Sequence, residues 1–353
     1  MRDDDETTTT KVMNTVEPLR IGVLGAARIN DMTLFPPAED IGARLVAVAA
    51  RDRGRAHDYA RAHGIERVVE DYQALIDDPE VEAIYNPLPN GLHTEWNLKA
   101  IAAGKHVLGE KPFASNAAEA LQVHEAAKAR PELVVFDGFH YRYHPIFLRL
   151  LELVQDGAIG QVQHVRAIMS VPVPNLSDIR WSWELAGGAL MDLGCYTINV
   201  IRTISHALGG EPTLVSADAG HLEGTDERID AWSVLRYELP GGVSGLSEVN
   251  LLGPQDFSIT VVGSRGTIHQ ANLSYVHTDD RLMIFRDGES IVENLGRTSS
   301  FTYQLRAFRD AIREGRPFAT TTEEAVANMR AIDDAYRLAG LAPRPSVRTP
   351  DEH

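Results

Sequence analysis

Three places in this chain put chemistry-bearing side chains at spacings that could act together. The first is Gly109-Glu110-Lys111-Pro112, directly after the strand-like run His106-Val107-Leu108. A lysine at a strand end can donate to a ligand hydroxyl and stabilise charge on an oxygen losing its proton. Pro112 restrains the chain beside it, and an X–Pro bond of this kind can be cis. For an arbitrary Glu-Lys pair, a solvated surface ion pair is the default. The second place is "GGALMDLGCY", residues 187–196. If the chain is helical from about Ala189, Asp192 and Tyr196 are four apart and share a face. That pairing resembles an acid–base group and its orienter, although helices carry many such pairs for purely structural reasons. Cys195 reads as a small buried filler. The third is "FHYRYHP", residues 139–145, where Arg142 is either a ligand-side contact or a hinge charge. His93, His140, His144 and His164 show no metal-ligand spacing, so no metal is assigned.

These groups need elements to hold them. From Leu19 to about His140, short apolar runs alternate with longer amphipathic segments. Strands are expected at 20–24, 45–50, 83–86, 106–108 and 133–136, with helices at 54–63, 72–77, 93–103 and 116–129. This βαβα order implies an α/β fold of Rossmann type, a doubly wound parallel sheet with helices on both faces. After His140 the pattern changes. Helices are expected at 146–155, from about 189 to 204, at 303–314 and at 322–338. Strands are expected at 161–171, 213–220, 231–239, 243–251 and 257–262, with Pro240-Gly241-Gly242 as a hairpin turn. This is an α+β domain with a large, mostly antiparallel open sheet.

Ligands of a doubly wound sheet bind at the carboxyl ends of its strands. "GEKP" falls there, which lowers the default of a solvated pair. "IGVLGAARIN", residues 21–30, runs a strand into a turn where a dinucleotide-binding G-x-G-x-x-G would stand. Gly25 can make the tight turn; Ala27 and Asn30 replace the other two glycines. A helix N-terminus after this turn attracts a pyrophosphate, and an ordinary structural turn is the competing reading. In "VAVAARD", residues 46–52, the strand ends on Ala50 and Arg51 rather than on a ribose-binding carboxylate. A guanidinium there suits a 2′-phosphate, so NADP is expected over NAD; otherwise Arg51 merely begins an exposed helix. "YNPLPNGLH", residues 85–93, shapes another loop at the same edge. Asn90 or Gly91 is expected to cap the following helix, with His93 a structural first-turn residue. Glu110 is placed either to accept from a ribose hydroxyl or to hold Lys111.

Length suits two domains: a dinucleotide-binding domain at 19–140 and a substrate-binding, oligomerisation domain at 141–343. Residues 1–18, acidic and polar where a signal peptide would be basic and then apolar, read as a disordered tail, and 344–353 as a C-terminal tail. The formal net charge of −16 argues against nucleic acid and anionic membranes as partners. With Cys195 the single cysteine, no intrachain disulfide can form, which fits the cytoplasm.

Together these segments resemble the Gfo/Idh/MocA (glucose–fructose oxidoreductase/inositol dehydrogenase/rhizopine catabolism) family of NAD(P)-dependent oxidoreductases. "AGKHVLGEKPFA" and "GGALMDLGCY" at their separation are its most specific marks. "AVAARD" and the tyrosine are similar to the branch of dihydrodiol and xylose dehydrogenases and sugar 3-ketoreductases. The resemblance places catalytic roles on Lys111, Asp192 and Tyr196. It places cofactor contacts on Gly25, Ala27, Arg28, Ile29, Arg51 and Asp52. Pro87, Leu88, Asn90 and His93 fall beside the nicotinamide, with Glu110 on the ribose. It implies NADP, with NAD possible, and hydride transfer to or from a secondary alcohol or hemiacetal carbon of a sugar, cyclitol or trans-diol. Tyr196 is then the acid–base group and Lys111 its electrostatic partner, or Lys111 moves the proton itself. A homodimer or homotetramer is implied through the second sheet. A regulatory protein that binds dinucleotide without turnover is the alternative.

Overall fold

A computed structural model describes residues 17–346. The short apolar runs of the first half form a six-stranded parallel sheet: β1 (Arg20–Leu24), β2 (Arg44–Ala49), β3 (Arg67–Val68), β4 (Ala83–Asn86), β5 (His106–Gly109) and β6 (Val135–Asp137). Its order is β3-β2-β1-β4-β5-β6. Consecutive strands run outward from β1 in opposite directions, so a crevice opens between β1 and β4 at the carboxyl edge. The connecting helices are α1 (Asn30–Thr33), α2 (Phe35–Ile41), α3 (Arg53–His63), α4 (Tyr72–Asp77), α5 (His93–Ala102) and α6 (Ala117–Lys128). Asp52, Asp71 and Asn116 cap α3, α4 and α6, each accepting from a backbone N–H of the first turn.

α7 (Pro145–Gln155) leads into the second sheet. Its strands are β7 (Val162–Ser170), β8 (Thr213–Gly220), β9 (Trp232–Leu239), β10 (Val243–Asn250), β11 (Ile259–Gly263), β12 (Gly266–Gln270), β13 (Arg281–Arg286) and β14 (Glu289–Asn294). They are ordered β14-β13-β12-β11-β7-β10-β9-β8, antiparallel except where β7 lies parallel to β10. Between β7 and β8 runs α8 (Cys195–Ala207), buried over almost its whole circumference. Its buried polar side chains find partners there: Thr203 Oγ1 donates to the Asn199 carbonyl, and Asn199 Oδ1 accepts from Tyr141 Oη. Here α8 packs on β7 and β10 from one side and on α10 (Thr322–Leu338) from the other.

Packing crosses the boundary expected near residue 140. α9 (Ser300–Glu314) lies late in the chain, yet Leu305, Phe308 and Ala311 join the core beneath β1, β4 and β5. Phe308 meets Phe136 of β6 edge-on, with ring centroids 5.1 Å apart. The segment read as a tail from 344 begins with Arg344, which is fully buried and paired with buried Asp230. A guanidinium leaves water only for such a partner. Most of the tails expected at 1–18 and 344–353 lies outside the described residues. Among those described, no helix is long and apolar enough to cross a membrane.

Candidate active site

Lys111 lies two residues past the end of β5, and its bond to Pro112 is cis. Its Nζ donates to the Asp192 carbonyl oxygen at 3.0 Å and lies 3.3 Å from Asp192 Oδ1. Asp192 does not sit in an α-helix, as the sequence suggested; residues Leu190–Gly194 form a π-turn that runs into α8. A π-turn interrupts the α-helical ladder, and such interruptions recur at functional sites. Tyr196 stands one turn on, with Lys111 Nζ 4.8 Å from its ring centroid. A lysine, a carboxylate and a phenol from two domains thus converge at the carboxyl edge of the first sheet.

Asp192 holds two cations. Its other oxygen, Oδ2, accepts from Arg180 Nε at 2.6 Å. Burial alone would raise the Asp192 carboxyl, but Lys111 and Arg180 outweigh it and hold it at about 2. Burial likewise pulls Lys111 down, and the negative charges of Asp192 and Glu110 reverse that, so the lysine stays an ammonium. For Tyr196 burial wins: its hydroxyl is pushed well above 10, with Glu110, Cys195 and Asp192 adding to the rise. Its hydroxyl lies 3.1 Å from His140 Nε2 rather than against the lysine. Neither Arg180 nor His140 was singled out as a site residue from sequence. Arg180 lies in a loop with no pattern, and His140 shows no spacing that marks it.

The start of the π-turn is pinned from behind. Asp230 Oδ2 accepts from Leu190 N at 2.6 Å, and Asp230 O accepts from Ala189 N at 2.8 Å. Tyr336 Oη donates to Asp230 Oδ1 at 2.9 Å, and Arg344 Nε donates to the Gly187 carbonyl at 2.6 Å. Gly188, at φ +125°, is required because a Cβ there would strike both Asp230 and Arg344. The glycine pair gives close approach rather than flexibility. Trp181 and Trp183, on the loop leading into this segment, are both engaged by the protein. Trp181 is buried and donates to the Val173 carbonyl at 3.3 Å, while Arg228 and Arg344 lie 4.6 and 4.9 Å from the Trp183 ring.

The crevice beside this cluster fits a dinucleotide. Gly25 has φ +81°, and a Cβ there would stand 3.0 Å from Leu88. The amides of Ala27, Arg28 and Ile29 have no acceptor among the described residues, while the Ala26 and Ala27 carbonyls are tied down by Arg55 and Tyr59. Those amides can therefore meet phosphate oxygens. Arg51 is exposed, with no hydrogen bond or ion pair among the described residues. Asp52 spends one carboxylate oxygen as the cap of α3, accepting from Arg55 N at 3.0 Å. Glu110 is held by Tyr85 Oη at 2.8 Å, not by the Lys111 ammonium, and burial raises its carboxyl. Arg142 sits at the domain junction, 3.5 Å from Asn199 Oδ1 of α8.

The loop after β4 departs from expectation in one respect. Asn90 caps no helix; its Nδ2 donates to the Ala186 carbonyl at 3.0 Å, and Gly91 N donates to Leu185 O at 3.1 Å. The loop gains more by crossing to the second domain, whose backbone carbonyls would otherwise be unpaired. His93 is structural: its ring nitrogens lie 2.7 Å from Pro112 O and 2.6 Å from Leu88 O, so it ties buried Pro87-Leu88 to the lysine loop. Among the described residues, no group of three or more metal-ligating side chains is assembled.

A Rossmann sheet whose crevice faces a lysine, a carboxylate and a phenol defines a nucleotide-dependent oxidoreductase. Residues 19–137 match the oxidoreductase family with NAD-binding Rossmann fold, and residues 147–269 match the GFO/IDH/MocA C-terminal domain. D-xylose 1-dehydrogenase (NADP(+)) 2 of Haloferax volcanii is 32% identical over 328 residues, 91% of this chain and 97% of that protein. Trans-1,2-dihydrobenzene-1,2-diol dehydrogenase of Oryctolagus cuniculus is 31% identical, covering 83% of this chain and 88% of that one. The 3-ketoreductase KijD10 from Actinomadura kijaniata, solved with NADP and TDP-benzene, superposes with a TM-score of 0.81 at 27% identity. That match covers 90% of this chain and 96% of that one. The chain belongs to the Gfo/Idh/MocA family of oxidoreductases.

Proposed function

We propose that the protein is an NADP-dependent dehydrogenase or reductase acting on a secondary alcohol or hemiacetal carbon of a sugar, cyclitol or trans-diol. The observation that carries this reading is the meeting of Lys111, Asp192 and Tyr196 at the carboxyl edge of a dinucleotide-type sheet. Its relatives named for xylose, a diol and a TDP-sugar ketone support the substrate class. The bound nicotinamide supplies hydride transfer. Gly25, Ala27, Arg28 and Ile29 hold the pyrophosphate, Arg51 and Asp52 the adenosine side, and Pro87, Leu88, Asn90, Glu110 and Arg142 line the nicotinamide side, with His93 bracing that loop from behind. Residues 19–140 form most of the cofactor-binding unit, and 141–343, apart from α9 which packs on the first sheet, the substrate-binding and oligomerisation unit.

Tyr196 exchanges the hydroxyl proton. Lys111 is the weaker candidate for that task because Asp192 keeps it charged; two of its three N–H groups reach Asp192, leaving one to donate to a substrate oxygen. Its positive charge over the Tyr196 ring favours phenolate against burial. Asp192 orients the ammonium, and Arg180 fixes Asp192. The test is NADPH formation across a panel of aldoses, inositols and trans-diols. Turnover with one class names the substrate; NADP binding without turnover on any would favour a regulatory protein. The same reading makes the chain a cytoplasmic homodimer or homotetramer, since a lone buried Cys195 suits reducing conditions and the second sheet leaves one broad face uncovered.

A further inference from the structure

We propose that His140 is a positioning residue for Tyr196, donating its Nε2–H to the phenol oxygen and leaving the phenol proton for a substrate oxygen. The proposal rests on the reading of Tyr196 as the acid–base group. His140 opens the short helical turn His140–Tyr143 after β6, and its Nε2 lies 3.1 Å from Tyr196 Oη. This is the single hydrogen bond on that phenol among the described residues. Its Nδ1 lies 2.8 Å from Ser300 Oγ, at the first residue of α9. Phe301 stacks on the imidazole with centroids 3.8 Å apart, and His140 is only 1% exposed. α9 belongs to the core of the first domain, so the contact joins the phenol of one domain to the frame of the other.

A buried imidazole with a hydroxyl on each nitrogen has one donor and one acceptor when neutral. Burial, with the positive charge of Lys111, holds His140 at about 3, so it is neutral at physiological pH. In the Nδ1–H tautomer, Tyr196 would spend its proton on Nε2 and have none for a substrate. In the Nε2–H tautomer, Ser300 donates its O–H to Nδ1, and the ring donates to the phenol oxygen. That arrangement serves both states of Tyr196: the phenol keeps its proton, and the phenolate keeps a donor. In the reducing direction the Tyr196 O–H bond breaks as the substrate oxygen gains the proton. The electron pair stays on the phenolate oxygen, and no proton passes through His140. Other groups facing Tyr196 divide: the Lys111 charge favours phenolate, the Glu110 and Asp192 charges disfavour it, and Cys195 and Tyr275 add no cation.

The test has two arms. In protein labelled with ¹⁵N-histidine, the His140 ring, assigned by its loss in His140→Gln, is expected as a single Nε2–H tautomer from pH 6 to 9, becoming a mixture in Ser300→Ala. An Nδ1–H or mixed ring in the unaltered protein overturns the proposal, and this arm needs no substrate. The second arm follows kcat/KM against pH for whichever panel polyol is oxidised. His140→Phe is expected to raise the apparent ionisation by at least about one unit and lower kcat about tenfold at neutral pH, with the NADP⁺ KM within about twofold. His140→Gln, which can still donate an N–H, should recover most of that shift. An unmoved profile in His140→Phe overturns the proposal, as does His140→Gln behaving like His140→Phe. Failure of the underlying reading looks different: Tyr196→Phe would keep near-normal kcat while the His140 tautomer stayed as expected.

Discussion

The ammonium of Lys111 stands 4.8 Å from the ring centre of Tyr196, while its hydrogen bonds go to Asp192 rather than to the phenol hydroxyl. The lysine therefore acts on the tyrosine through its field, and Asp192 sets where that field lies. Tyr196→Phe deletes only a hydroxyl, and Lys111→Met only a charge. Each is expected to lower kcat by roughly 10²–10⁴, the usual worth of a positioned acid–base group. The double variant should be scarcely worse than either single one, because members of one catalytic unit are strongly non-additive. Fully additive losses in steady-state kinetics would count against the assignment.

Arg51 should set cofactor choice. It is exposed at the end of β2, where an NAD enzyme would carry a carboxylate. Arg51→Ala is expected to raise the KM for NADP⁺ while sparing that for NAD⁺, at a cost of about 1.5–3 kcal/mol for a charge-assisted hydrogen bond. Comparable kcat/KM for both cofactors in the unaltered protein would defeat this.

Asp192 should couple the site to acid stability. Its folded carboxyl, at about 2, lies below the ordinary value of 3.8. A depressed carboxyl stabilises the fold above its unfolded pKa and loses that contribution as pH falls through the folded one. The window is therefore pH 4 down to pH 2, and the contribution is on the order of 2 kcal/mol. Denaturant titrations of Asp192→Asn should show a shallower loss of stability across that window than the unaltered chain. Equal slopes would remove the coupling.

Arg344 should be required for stability although it falls in a segment that reads as a tail. Arg344→Leu leaves Asp230 buried without its cation, and breaking such a pair costs about 3–5 kcal/mol. Because Asp230 also holds Leu190 N, the loss should reach Asp192 and lower kcat in the protein that remains folded. A denaturation midpoint within error of the unaltered protein would refute the clamp.

The open face of the second sheet should join copies of the chain. Trp232, Phe285 and Val292 are exposed apolar residues on its strands. Light scattering at micromolar concentration is expected to give a dimer or tetramer. A mass of 38.8 kDa, that of one chain, would rule this out.

Local pattern carried much of the fold. α4 and α10 have the bounds expected from their periodicity, and Pro240–Gly242 turns β9 into β10 as its residues require. The short β12, β13 and β14 and the broken α1 and α2 were not foreseen. Few residues, interrupted by polar side chains and turns, give too little periodicity to read. Gly25, Lys111, Asp192 and Tyr196 were legible because each lies in a motif whose spacing constrains chemistry. What the amino-acid order could not express is contact between distant segments. Arg180 reaches Asp192 across a loop, His140 and Ser300 meet over 160 positions, and Arg344 closes on Asp230 from 114 residues away. Each of these is a polar group whose burial is affordable only with a partner from elsewhere in the chain. Sequence determined the reactive side chains and their strands and helices; tertiary packing decided their partners, charge states and orientation.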